Sequence, residues 1–319
     1  MSKHFSFGLE STLGTAVAPT KGLPIRAGEG MKTLVDLRGQ EVFDGSLSAY
    51  SDYYQGLVTH EGEIETDLDS QAAGYFWRSL CGTVTTTAVT GETGIYEHQF
   101  LPTGNKASFT IEQYNDTFPV RYAGVLVNSA KITAEPGGSI LATYGLLGRS
   151  VVEDVNSAAT VTYNLGHTFT HADVAAGLKV DNTSLPLVSN FEVEIISNKQ
   201  AQYGLGNVNP QGFASGRYEV KGKFVLYLND SNQISFYEAY LDKAAKALEI
   251  TFNGDSLSGT NVNKESLKLS LPKAYFSALL NPINAEAARL EVEFVATLDA
   301  STQTLFELTL INQISSYAS

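Results

Sequence analysis

Apolar and polar residues alternate over most of this chain, and a period of two is the pattern of a strand with one face on a core and the other in water. In residues 290–298 every even position is apolar or small, while Glu291, Glu293 and Thr297 occupy three of the four odd ones. Phe191, Val193 and Ile195 alternate with Glu192 and Glu194, Leu267, Leu269 and Leu271 with Lys268 and Ser270, and Phe306, Leu308 and Leu310 with Glu307 and Thr309. Strands of this kind pair antiparallel. Asn253-Gly254-Asp255 and Pro136-Gly137-Gly138 read as hairpin turns between them. The chain is therefore expected to be mainly β, of sandwich or barrel type.

Two segments break the alternation. Over residues 71–81, Ala73, Phe76, Trp77 and Leu80 fall at i, i+3, i+4 and i+7, with Ser70 as N-cap candidate and Gly82 beyond the end, which predicts a helix. Ile234, Phe236, Tyr237, Tyr240 and Leu241 form a similar stripe and predict a second helix over residues 231–242. Phe76, Trp77, Phe236 and Tyr237 are the expected knobs that dock each helix onto its sheet.

The two helices belong to an internal repeat. Aligning Gly62 with Gly222 pairs Leu68 with Leu228, and the same offset, 222 − 62 = 160, carries Phe76 onto Phe236 and Trp77 onto Tyr237. Each half holds a Gly- and Tyr-rich stretch, a strand, a helix and further strands, so the sequence reads as a duplication. The expected division is residues 1–150 as a first domain with an N-terminal arm, 151–186 as linker and entry strand, and 187–319 as a second domain.

Composition narrows the function. With 21 Lys and Arg against 34 Asp and Glu, the net charge is -13, which opposes binding nucleic acid by neutralising phosphates. One cysteine, Cys81, and five scattered histidines give neither a disulfide nor a zinc framework. His167 and His171 sit in a Thr/Phe segment read as strand, where a four-residue step spans roughly 13 Å, too far to share an ion. Asp67 and Asp69 precede a helix, where negative charge is favourable. No nucleophile elbow, phosphate loop or dinucleotide fingerprint occurs, so the expectation is no enzyme, no cofactor and no metal.

What remains points to surfaces. Tyr50, Tyr53 and Tyr54 lie in a Gly- and Ser-rich loop over 45–54 without a core of its own, with 203–216, carrying Tyr203, Asn207 and Phe213, as its counterpart. Phe5, Phe7 and Leu9 alternate in an N-terminal stretch expected to be ordered by a neighbouring subunit. In residues 61–68, Glu61, Glu63, Glu65 and Asp67 share one strand face, whereas the matching second-repeat positions include Lys221 and Lys223. Three readings stay open for this row: the wall of an acidic lumen, pairing between acidic and basic faces of alternating domains, or a plain solvated face.

An ordered set of short motifs resembles the tail tube proteins of long-tailed bacteriophages. It comprises the run from Phe7 to Pro19 and Thr20, Glu61-Gly62-Glu63-Ile64, Tyr122-Ala123-Gly124, Glu135-Pro136-Gly137-Gly138, Tyr203-Gly204-Leu205-Gly206 and Gly216-Arg217, and it spans residues 5–317. The resemblance implies two tandem tail-tube-type β domains, each with one helix, that associate into rings and stack into a tube. In this two-domain version three chains would make a pseudo-sixfold ring. Implied partners are further copies of the chain, the tape measure protein, and tail terminator and distal tail or baseplate proteins. DNA would be present only in transit and no membrane is involved, with assembly in the host cytoplasm. The rival reading, a β-sandwich binding module for carbohydrate or adhesion, would be expected to carry a secretory signal, and the first residues lack its apolar run.

Overall fold

The computed structural model describes residues 3–41, 48–115, 118–152, 160–175, 177–185, 187–227, 232–257, 263–280 and 289–317. Its first half holds β1 (His4–Leu9), β2 (Lys21–Gly22), β3 (Ala27–Gln40), β4 (Asp52–Asp67), α1 (Ala73–Cys81), β5 (Gly82–Ala88), β6 (Tyr96–Pro102), β7 (Phe109–Tyr114), β8 (Pro119–Ala134), β9 (Leu141–Gly148) and β10 (Ser150–Val152). Its second half holds β11 (Leu178–Val180), β12 (Thr183–Leu185), β13 (Val188–Ile196), β14 (Gln200–Gln202), β15 (Gly212–Ala214), β16 (Glu219–Tyr227), α2 (Asn232–Leu241), β17 (Lys246–Ser256), β18 (Lys264–Leu280), β19 (Arg289–Ala296) and β20 (Glu307–Asn312).

The strand order occurs twice. Antiparallel neighbours run β3-β4-β9-β8-β7-β1 in the first half and β13-β16-β19-β18-β17-β11 in the second. The glycines aligned from sequence sit at equivalent points, Gly62 opposite Met31 and Leu146, Gly222 opposite Val193 and Phe294. A Cβ at Gly62 would strike the Gly30 carbonyl, and one at Gly222 the Glu192 carbonyl, so both mark a close backbone approach inside a strand. The repeats are joined edge to edge because β13 also pairs with β8, from Phe191 opposite Ala134 to Ile196 opposite Ser129.

One face of the joined sheet is apolar, with Ile64, Tyr144, Ile132, Val193, Phe224 and Phe294 buried on it. The helices pack there. α1 begins where the Asp69 carboxylate accepts the N–H groups of Gln71 and Ala72 at 2.8 and 2.7 Å, so Asp69 and not Ser70 holds the turn. Ser70 instead accepts the His167 N–H at 3.0 Å. The helix ends at Gly82, whose φ of 93° places it in the left-handed region.

α2 departs from expectation at one knob. Trp77 is 0% exposed but Tyr237 is 56% exposed, while Phe236 remains buried. The reason is an insertion: the β5–β6 hairpin lies between α1 and β7 and covers α1, whereas only residues 242–245 separate α2 from β17. The same hairpin receives β20 from the second half. Beyond β20, Tyr317 packs edge-on to Tyr75 and donates to the Gln71 carbonyl at 2.7 Å. The chain end thus locks onto α1.

Two further differences follow from register. Asn253-Gly254-Asp255 forms no hairpin turn but an irregularity inside β17, between the Asn253–Ser266 and Ser256–Lys264 pairs. Residues 167–171 form isolated bridges to Asp69 and Ser139 and not a ladder, with His171 opening a short 3-10 helix. Phe169 is buried there against Phe252.

Candidate assembly surface

The opposite face of the joined sheet is polar, and the registers fix what stands on it. On β4, Glu61, Glu63, Glu65 and Asp67 lie opposite Leu147, Gly145, Thr143 and Leu141 of β9, and Glu61 lies opposite Lys32 of β3. Lys32 itself is held by Glu29 at 2.6 Å. The acidic row continues across the seam, where Lys131 of β8 lies opposite Glu194 of β13 and pairs with Glu192 at 3.1 Å.

In the second repeat the same face is compensated. Lys221 pairs with Glu194 at 3.0 Å and Lys223 with Glu291 at 3.4 Å. Both lysines therefore meet acids of their own repeat. Glu293 lies opposite Lys223. Acids outnumber lysines along these strands, and most of the excess lies on β4, even with Arg26 pairing Asp67 at 3.4 Å.

The sheet also ends in open edges. Among the described residues β3 pairs only with β4, and Leu34, Val35 and Leu37 along it are exposed. An apolar strand edge without a partner is a template for pairing with another chain. A family model described as phage tail tube protein matches residues 2–304 of this chain.

The chain belongs to the phage tail tube protein family. Membership makes it a structural component of the virion tail that assembles into a tube with other tail components. Among curated proteins, none matches the sequence.

The expected contact residues of this tail tube protein fall into three groups. Tyr50, Tyr53 and Tyr54 are exposed on the arm formed by β3 and β4, with the Tyr50 and Tyr53 rings 5.5 Å apart; residues 45–47 of their loop lie outside the described residues. Tyr203 and Phe213 are spent within the chain. Tyr203 donates to the Val58 carbonyl at 3.0 Å, Phe213 is buried, and its carbonyl accepts from Lys106. Asn207 is exposed at the tip of that loop.

Phe5, Phe7 and Leu9 are the correction. β1 pairs with β7 along its whole length, Phe5 and Phe7 are 3% and 1% exposed, and Leu9 packs against the same core. Phe7 meets Phe76 and Phe109 edge-on at 5.3 and 5.6 Å. The buried Glu10 carboxylate then accepts from Ser108, Thr110, Gly14 and Gly124 at 2.7–2.9 Å. The segment has a core, and it is this chain's own. Its partner strand lies about a hundred residues away, so no local pattern reveals it.

Several polar groups are held within the fold. Burial pushes the Cys81 thiol up to about 12, against a weaker opposing pull from Lys199, so it is no thiolate. His167 is gripped by Asp173 at 2.9 Å and Asp255 at 3.2 Å. Among the described residues no three His, Cys, Asp or Glu side chains converge as a metal site requires.

Proposed function

We propose that the chain polymerises as stacked rings into the hollow tail tube, three chains to a pseudo-sixfold ring, enclosing the tape measure protein and conducting DNA into the host. Residues 1–150 form the first tube domain, 151–186 the linker and entry strand, and 187–319 the second. The observation that carries this reading is the strand order repeated twice and joined by the β13–β8 seam. A seam between unlike repeats is head-to-tail, and where its rotation closes such a contact makes a ring. Tyr50, Tyr53 and Tyr54 act as contacts between subunits, and the tail terminator and distal tail proteins cap the two ends, all assembled in the host cytoplasm.

The helix-free face with Glu61, Glu63, Glu65 and Asp67 is the lumen wall in this reading. A wall that repels phosphates lets DNA slide, whereas a basic wall would hold it. Electron microscopy of concentrated protein together with native mass measurement tests the proposal. Rings or tubes with three chains per ring are expected. Six whole chains per ring, or a persistent monomer, would overturn it.

A further inference from the structure

The β13–β8 seam has a counterpart in the fold that lacks one partner. β3 occupies in the first repeat the place of β13, since Met31 lies opposite Gly62 as Val193 lies opposite Gly222. β18 occupies the place of β8. Val127 lies opposite Leu146 and Phe276 opposite Phe294, and each strand then slips by one residue, at Asn128 and at Ser277.

What differs is the use of the edges. β7 leaves β8 at Val125, and β13 enters on the far stretch from Ser129 onward. β17 leaves β18 at Ala274, a residue that pairs with β19 on its other side. Among the described residues nothing enters beyond it. Likewise β13 uses both edges, whereas β3 uses one.

Exposure follows the missing partner. Ile195 and Ser197 in the seam are each 1% exposed. Their counterparts on β3, Thr33 and Val35, are exposed, Val35 by 51%, and on β18 Leu280 is exposed by 49%. The β3 backbone is also turned outward here. The N–H and C=O of Val58, opposite Val35, are bonded to Val208 and Tyr203, so Val35 exchanges no hydrogen bonds with Val58 and its own pair points away from β4. At Met31 the Gln113 side chain takes the equivalent N–H and C=O at 2.5 and 2.9 Å. The free edge therefore starts at Thr33.

We infer that a second copy of this chain completes the seam, β3 of one copy pairing antiparallel with β18 of the next. Thr33 lies opposite Leu279 and Leu34 opposite Ala278, as Ile195 lies opposite Ala130 and Ile196 opposite Ser129 within the chain. The Ser197 N–H donates to the Asn128 carbonyl at 2.7 Å across the existing seam; the Val35 N–H donates to the Ser277 carbonyl in the new one. Leu34 and Leu280 become diagonal neighbours on one face and cover each other. The inference rests on the ring reading above and adds its register: the two seams alternate around the ring, one within each chain and one between chains.

Disulfide trapping in the assembled protein tests the register. The doubly substituted chain Leu34→Cys with Ala278→Cys, mildly oxidised, is expected to run on a non-reducing gel as covalent dimer and trimer. The chain Leu34→Cys with Leu280→Cys, out of register, should cross-link at least five-fold less. Ile196→Cys with Ser129→Cys is the internal control and should link without leaving the monomer position. Cys81 is fully buried and contributes nothing. Val35→Pro, which deletes the outward N–H, is expected to keep the fold and lose the rings. Rings seen by microscopy together with no linkage of the matched pair, equal linkage of the shifted pair, or rings from the proline variant would overturn this seam and leave the ring reading standing. No rings from the unsubstituted chain would overturn both.

Discussion

Lys199 carries a positive charge into the junction of the two repeats. Its ammonium donates to the Leu80 carbonyl at 3.2 Å, the Val127 carbonyl at 2.8 Å and Ser197 Oγ at 2.7 Å. A cation at the last turn of α1 suits the helix dipole, yet burial lowers its pKa from 10.5 to about 8. Between those two values the unfolded chain binds more protons than the folded one, so this group makes stability rise with pH across the window. Below the folded value the cost of burying the charge is constant. Relative to Lys199→Met, the unsubstituted chain should gain about 2 kcal/mol between pH 7 and pH 9.5, read from urea unfolding of dilute protein; parallel pH curves for the two chains would show that the amine is not buried as charge. Nothing in the sequence around Lys199 announces this role, because two of its three partners come from α1 and β8. Gly62 and Gly222 were legible, since a glycine inside an alternating run has few reasons to be there besides a close approach. Periodicity finds the apolar stripe that holds Tyr237 but not what covers it.

Among the elements, those with a local signature stand where the sequence puts them. α1 and α2 begin within two residues of the expected starts, although Ser231 lies outside the described residues. The long alternating strands are likewise present. What sequence could not supply is pairing over long distances: β1 with β7, β20 with β6, and the chain end with α1. β1 shows the consequence. Removing residues 2–13 takes away Phe5, Phe7 and the four donors' acceptor Glu10, and leaves β7 with an open edge. Losing even one buried Phe costs about 3–5 kcal/mol, comparable with much of the stability of a typical domain. The deletion is expected to abolish cooperative unfolding and near-ultraviolet dichroism, so failure to form tubes would follow from failure to fold. A sharp transition retained by the truncated chain would return β1 to the role of an assembly arm.

At the scale of the whole molecule, the joined sheet has one face filled by helices and core and one face left to water. The acidic row on β4 could not be assigned from sequence because Lys221 and Lys223, at the matching positions, offered partners of opposite sign. Within the chain both lysines pair with acids of their own repeat, Glu194 and Glu291, while Lys131 and Glu192 of unlike repeats pair across the seam at 3.1 Å. Glu61, Glu63 and Glu65 face Leu147, Gly145 and Thr143 across the ladder, with no cation opposite them except Lys32 at one end. Like charges about 6.6 Å apart along a strand repel, so folding of one chain gains nothing from placing Glu61, Glu63 and Glu65 together; Asp67, at the end of the row, is met by Arg26 at 3.4 Å. In the lumen reading proposed above the row has a use, since a wall that repels phosphates does not retain DNA. Glu63→Lys with Glu65→Lys should therefore leave the isolated fold and the yield of tubes unchanged, because neither side chain lies at a strand edge or in the core. Phage carrying this double substitution should inject DNA more slowly, and the deficit should shrink as salt is raised and screens the new lysines. Wild-type injection kinetics at low salt would remove this face from the DNA path, and loss of tubes would place it in a contact between subunits.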